Sequence, residues 1–125
     1  MEDRKGGVYM ELIVDSKIFK DAIIVYLRGE LDQHTANTVR NAIEKEWSKK
    51  LATYIILNME QLTFMDSSGL GVILGRYKQV TNDGGKLVIC CVNRQVEKII
   101  ELSGLKNIIN FYNTETEALN AIGGE

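Results

Sequence analysis

Three segments follow one another in the middle of the chain: the apolar run Tyr54-Ile55-Ile56-Leu57, a helix-spaced series Leu70, Ile73, Leu74, Tyr77 and Val80, and a second apolar run Leu87 to Val92. A short run that is apolar at every position suits a strand covered on both faces, as in a parallel sheet. Steps of three and four mark one face of a helix. Strand, helix and strand in that order call for a sheet with helices laid on it. Asn82-Asp83-Gly84-Gly85 breaks the helix before the second run begins.

The same reading extends in both directions. Glu11 to Val14 and Ala22 to Leu27 read as two strands joined through Ser16 to Asp21, a connection short enough for an antiparallel hairpin. Gly29 is expected to end the second strand. A polar connection, Glu30 to Thr35, then leads to a helix over about Thr35 to Lys50. There Ala36, Val39, Ile43 and Trp47 form the inner face, and Arg40, Glu44, Lys45 and Lys49 point to solvent. A third helix is expected from Arg94 to Ser103, with Gly104 as its left-handed cap. Ile108 to Tyr112 reads as a last strand. Thr114-Glu115-Thr116-Glu117 has the form of a capping box opening a helix to Ile122. The order is β-β-α-β-α-β-α-β-α. It predicts one α/β domain over residues 10–125, with a mixed, mostly parallel five-stranded sheet, an N-terminal antiparallel hairpin and four helices. Residues 1–9 read as a loose tail.

Length and charge narrow the function classes. A chain of 125 residues can bury roughly two-thirds of its unfolded surface, enough for a core without staples. With a net charge of −2 and no Lys/Arg block, it carries no nucleic-acid footprint. No apolar stretch approaches the roughly 18 residues of a membrane span, and Met1 to Gly7 lacks the apolar core of a secretory signal. Cys90 and Cys91 are neighbours in a strand pattern, so they are expected on opposite faces as free thiols, which fits a reducing, cytoplasmic setting. Beside a single His they offer no metal site and no cofactor is implied.

The chemistry concentrates in Phe64-Met65-Asp66-Ser67-Ser68-Gly69-Leu70-Gly71, at the junction of a strand connection and a helix. A helix start leaves backbone N–H groups unpaired and partly positive, so a serine there is a cap or a place for a phosphate. Two hydroxyls stand where one would cap. Gly69, Gly71 and Gly75 each cost a helix about 1 kcal/mol relative to Ala, and they leave it a low side suited to a partner surface or to close packing on the sheet. Gly69 to Gly75 is not a dinucleotide fingerprint, because the spacing is off by one and no acidic residue ends the next strand. There is no Walker loop. A hydrolase would pair Ser67 with His34 and Asp32, but Ser67 lacks the G-x-S-x-G setting. Asp32 and Ser67 both follow strands whose carboxyl ends share one edge of a parallel sheet, so they are expected to face the same region.

These residues resemble a known family. Gly29-Glu30-Leu31-Asp32 with His34-Thr35-Ala36, the stretch Phe64 to Lys78, and Ser103-Gly104-Leu105 are similar to the anti-sigma factor antagonists, which are stand-alone STAS domains, and most of all to the sporulation antagonists. The resemblance runs from about Met10 to the last helix. It implies a non-enzymatic transcription regulator that works by partner switching. Unphosphorylated, it would bind an anti-sigma factor serine kinase and so release a sigma factor; ATP-dependent phosphorylation of Ser67 would end that binding, and a serine phosphatase would reset it. Asp32 resembles the family's acidic contact to the kinase. His34, Asp66, Ser68, Gly69, Leu70 and Gly71 complete the partner-binding residues implied. The alternatives are a STAS phosphoprotein of another bacterial signalling assembly, or a small nucleotide-binding or hydrolytic enzyme.

Overall fold

The computed structural model describes residues 12–123. Strands β1 (Ile13–Phe19) and β2 (Ala22–Leu31) lead into helix α1 (Ala36–Trp47). Then come β3 (Tyr54–Met65), α2 (Ser67–Asn82), β4 (Lys86–Cys90) and α3 (Arg94–Ser103). A single 3-10 turn (Leu105–Asn107), β5 (Phe111–Tyr112) and α4 (Glu115–Gly123) complete the fold. The five strands form one sheet in the order β1-β2-β3-β4-β5. β1 is antiparallel to β2, and every other pairing is parallel. The expected elements are therefore all present in the expected order. The tail predicted for residues 1–9 lies outside the described residues.

Strand alternation divides the core into two layers. Ile23, Val25 and Leu27 of β2, with Ile55 and Leu57 of β3 and Leu87 and Ile89 of β4, face one side. There they meet Val39 and Ile43 of α1, Val72, Ile73 and Val80 of α2, and Val96 and Ile100 of α3. Ala22, Ile24, Ile56, Val88 and Cys90 face the other side and meet Ala118 and Ile122 of α4. Period-two side chains on central strands thus require apolar residues at consecutive positions, which is why β3 and β4 read as continuous runs.

Several boundaries differ from expectation. β1 runs to Phe19, and the hairpin is closed by Lys20 and Asp21, with Lys20 in the left-handed region at φ 56°. β1 is an edge strand whose residues are mostly exposed, so no hydrophobic run marks its second half. β2 continues through Gly29, whose φ of 119° coincides with a register irregularity between Gly29 and Glu30. Only glycine adopts that backbone without strain, so Gly29 passes an irregularity where it was expected to end the strand. β3 extends eight residues past Leu57, to Met65. Glu44, expected in solvent, accepts from Arg76 at 2.6 Å and ties α1 to α2. Gly104 caps α3 at φ 77°, and Thr114 Oγ1 accepts from Glu117 N in the capping box that opens α4.

The cysteines correct another expectation. Cys91 lies one residue past β4 with φ 64°, so its side chain is not displayed by strand alternation. The two sulfurs are 3.4 Å apart, and both are free thiols. Burial, with a further contribution from Cys91, holds the Cys90 thiol far above its ordinary range.

Candidate functional site

Parallel pairing brings two strand ends together. Leu31 of β2 is the register partner of Met65 of β3, so Asp32 and Asp66 are the first residues beyond a matched pair. Asp66 N donates to Leu31 O at 3.3 Å, which locks the two exits side by side. From one exit the chain enters α1, and from the other it enters α2. The expectation that Asp32 and Ser67 share one edge of the sheet agrees with this geometry.

Asp32 is not the solvated loop residue its sequence context suggests. It is 8% exposed. Its Oδ1 accepts from His34 N at 2.8 Å and from Thr35 N at 3.1 Å, while its backbone N–H donates to Thr35 Oγ1 at 3.0 Å. Thr35 Oγ1 donates in turn to Glu30 O at 2.7 Å. Asp32 therefore forms the turn that launches α1, and Thr35 is a buried partner that sequence reasoning did not single out. His34 is exposed at the tip of that turn.

Asp66 plays the matching role for α2. As the N-cap, in extended backbone, it accepts through Oδ1 from Ser68 N at 2.9 Å and Gly69 N at 3.2 Å. The carboxylate thus caps the helix and neither serine does. Ser67 is the first helical residue and is exposed, while Ser68 is half-buried. A helix start was expected to offer its N–H groups to a phosphate. Here Asp66 already holds those of Ser68 and Gly69, so an added anion on Ser67 would meet a carboxylate where two of those donors are already paired.

The three helical glycines separate by role. A Cβ on Gly69 would lie 2.7 Å from Met65 Cγ, 2.8 Å from Leu31 Cγ and 2.9 Å from Leu31 O. Gly69 is thus required where α2 crosses the strand ends. A Cβ on Gly71 or Gly75 would meet nothing within 4 Å. Packing gives no reason for glycine at either. Ser67, Gly71 and Gly75 are spaced by four, so they form one low stripe along α2. Leu70 is half-buried beside it. Phe64, in the same octet, is 47% exposed near the end of β3, on the strand face opposite to that of Met65, which packs in the layer of α1 and α2.

Other polar groups gather elsewhere. A shallow cleft of about 610 Å³ is lined by residues including Tyr26, Asn58, Cys91 and Glu115. The Tyr26 phenol is pushed up to about 12 there, by burial first and then by its hydrogen bond to Glu115. Among the described residues no group of three or more His, Cys, Asp or Glu could hold a metal ion, and no helix is long and apolar enough to cross a membrane.

Residues 13–118 match the model of the STAS domain family. An anti-sigma F factor antagonist of Paenibacillus polymyxa is 40% identical over 113 residues, covering 90% of this chain and 97% of that one. An anti-sigma-B factor antagonist of Listeria monocytogenes is 31% identical over 97 residues, covering 78% and 84%. Among solved structures, the anti-sigma factor antagonist SpoIIAA in its unphosphorylated form is similar with a TM-score of 0.69 at 27% identity, over 91% of this chain and 99% of that one. The Bacillus cell fate determinant SpoIIAA in the phosphorylated form is similar with a TM-score of 0.68 at 30% identity, over 88% and 99%.

Proposed function

The chain belongs to the STAS domain family, and on that premise we propose that it is an anti-sigma factor antagonist, switched off by phosphorylation of Ser67. The observation that carries the proposal is the exposed hydroxyl of Ser67 at the head of a glycine stripe that packing does not require. Relatives that are named antagonists, and a solved phosphorylated form of one of them, support it. The protein acts here as a binding module and not as an enzyme.

In the unphosphorylated form the partner, an anti-sigma factor with serine kinase activity, lies on the stripe of α2. It reaches Ser67 with ATP and contacts Leu70 and the two capped turns. Phosphorylation adds about −1.5 to −2 charges beside Asp66. The helix start cannot absorb that charge through the N–H groups of Ser68 and Gly69 while Asp66 occupies them. The charge is therefore presented to the partner, and a desolvated contact that loses roughly 2–5 kcal/mol weakens by about 30-fold to several-thousand-fold. A serine phosphatase would restore the binding form, in the cytoplasm.

The test is to mix the protein with its anti-sigma factor and ATP. A one-phosphate mass gain located to Ser67, followed by dissociation, is expected. Ser67→Ala should stay bound under the same conditions and lose at most about 1 kcal/mol of stability, because Asp66 supplies the cap. Release of Ser67→Ala at the wild-type rate would refute the assignment.

A further inference from the structure

The two edges of the sheet differ. β5 is only two residues long, whereas β1 offers seven and, among the described residues, is paired on one side only. Natural edge strands are usually blunted by a bulge, a proline, brevity or charged side chains. β1 has no bulge, no proline and seven residues, and the two charges it carries, Asp15 and Lys17, are of opposite sign. Its register with β2 is unbroken from Ile13↔Arg28 to Phe19↔Ala22, and the chain contains no proline. It also exposes Ile13, Ile18 and Phe19 at 45–47%.

The sequence of this edge is its own complement. Ile13-Val14-Asp15-Ser16-Lys17-Ile18-Phe19 reads apolar, apolar, acid, serine, base, apolar, apolar. Antiparallel pairing of two copies about Ser16 sets Ile13 opposite Phe19, Val14 opposite Ile18 and Asp15 opposite Lys17, and each pair occurs twice by symmetry. Opposed apolar pairs and opposite charges are what stabilise neighbouring strands, and like charges there are destabilising. A twofold interface demands this kind of self-matching. A shift of one residue either way would set serine or an apolar side chain against each charge, and a shift of two would set like charges together. The faces also match. Val14, Ser16 and Ile18 alternate with Ile13, Asp15, Lys17 and Phe19, and Val14 packs on the helix-covered core layer. Pairing would thus extend that layer across the junction. The existing partners of the charges are weak: Asp15 is 3.6 Å from Arg28 with both side chains more than half exposed, and Lys17 Nζ lies 5.8 Å from the Tyr26 ring.

We propose that β1 is a self-association edge, through which a second copy of this chain joins the sheet in antiparallel register about Ser16. The interface is small, so the dimer forms at high micromolar concentration and is salt-sensitive. Sedimentation equilibrium of the full chain in low salt, up to about 1 mM, should show the average mass rising above the 14.1 kDa monomer. Asp15→Lys and Lys17→Asp each make both charge pairs repulsive and should each weaken association by about tenfold or more. The double variant Asp15→Lys/Lys17→Asp restores opposite charges and should associate as the wild type does. An equimolar mixture of the two single variants should form a mixed dimer that neither forms alone. That rescue also shows both variants to be folded. A wild type that stays monomeric to 1 mM overturns the proposal, as does association indifferent to the single variants or unrestored in the mixture.

Discussion

Gly69 and Gly71 lie two residues apart on α2, and the same substitution at each should move stability in opposite directions. Replacing a helical glycine by alanine ordinarily gains about 1 kcal/mol, since the unfolded chain loses freedom and the helix gains propensity. Gly71→Ala should realise most of this, because a Cβ there meets nothing within 4 Å. At Gly69 the Cβ would meet three atoms inside 3.0 Å, one of them the Leu31 carbonyl oxygen and another the Leu31 Cγ branch point. Neither is the free end of a flexible chain, so the strand ends or the helix must shift. Overpacking of this kind costs about 3 kcal/mol at the upper end of its usual range. Set against the propensity gain, Gly69→Ala should lose about 2 kcal/mol, some 3 kcal/mol below Gly71→Ala. Urea unfolding resolves this as midpoints at least about 1 M apart with unchanged slopes. Partner binding separates the positions again: Gly71→Ala, though more stable, raises the stripe beside Ser67 and should weaken binding to the anti-sigma factor by about tenfold. If Gly69→Ala is as stable as the wild type, or Gly71→Ala is destabilised, the division into a packing glycine and a surface glycine is wrong.

Asp32→Ala should cost about 1–2 kcal/mol, because it removes the acceptor for His34 N and Thr35 N, whereas Asp32→Asn keeps an oxygen there and should lose less than half as much. Calorimetric titration of the partner with Asp32→Asn then reads the charge apart from the fold, and unchanged affinity would make Asp32 a turn residue only. Tyr26 predicts an alkaline effect: the unfolded phenol deprotonates near 10 while the folded one holds its proton to about 12, so stability should fall as pH rises through that window. Urea midpoints of wild type and Tyr26→Phe across it should converge as pH rises, and parallel curves would refute the shift.

The sequence was most legible where independent signals agreed. α3 is bounded as expected at Arg94 and Ser103, since an apolar face, a following glycine and a packing leucine point to one answer. Strand ends were least legible. β3 runs on past Leu57 through Asn58, Glu60, Gln61 and Thr63, residues that resemble a loop. Yet Asn58 is buried, donating to Glu115 and accepting from Glu60 N, and Asn93 Nδ2 donates to the carbonyls of Met59, Glu60 and Leu62. Side chains distant in sequence thus hold the outgoing half of the strand, and no window around Leu57 contains them. Cys91 was misplaced for a related reason: alternation ends with β4, and a positive φ at a non-glycine residue leaves no mark in composition.

At the site, residue types were legible and the division of labour was not. An Asp-Ser-Ser sequence offers three side chains for one cap, and local rules rank them nearly equal. The choice falls to Asp66 because its backbone is already fixed: its N–H is bound to Leu31 O, and extended φ and ψ aim its carboxylate at Ser68 N and Gly69 N. That bond exists only because β2 overruns Gly29 far enough for Leu31 to pair with Met65. A glycine at φ 119° therefore decides, three steps removed, that a carboxylate caps α2 and that the Ser67 hydroxyl stays exposed. The same chain of contacts makes Asp32 and Asp66 parallel devices, each closing a turn at a strand exit with its Oδ1. A phosphate on Ser67 would find two of the helix-start donors, Ser68 N and Gly69 N, already held by Asp66. On the proposed switch, the charge those two donors cannot neutralise is what a partner surface would meet.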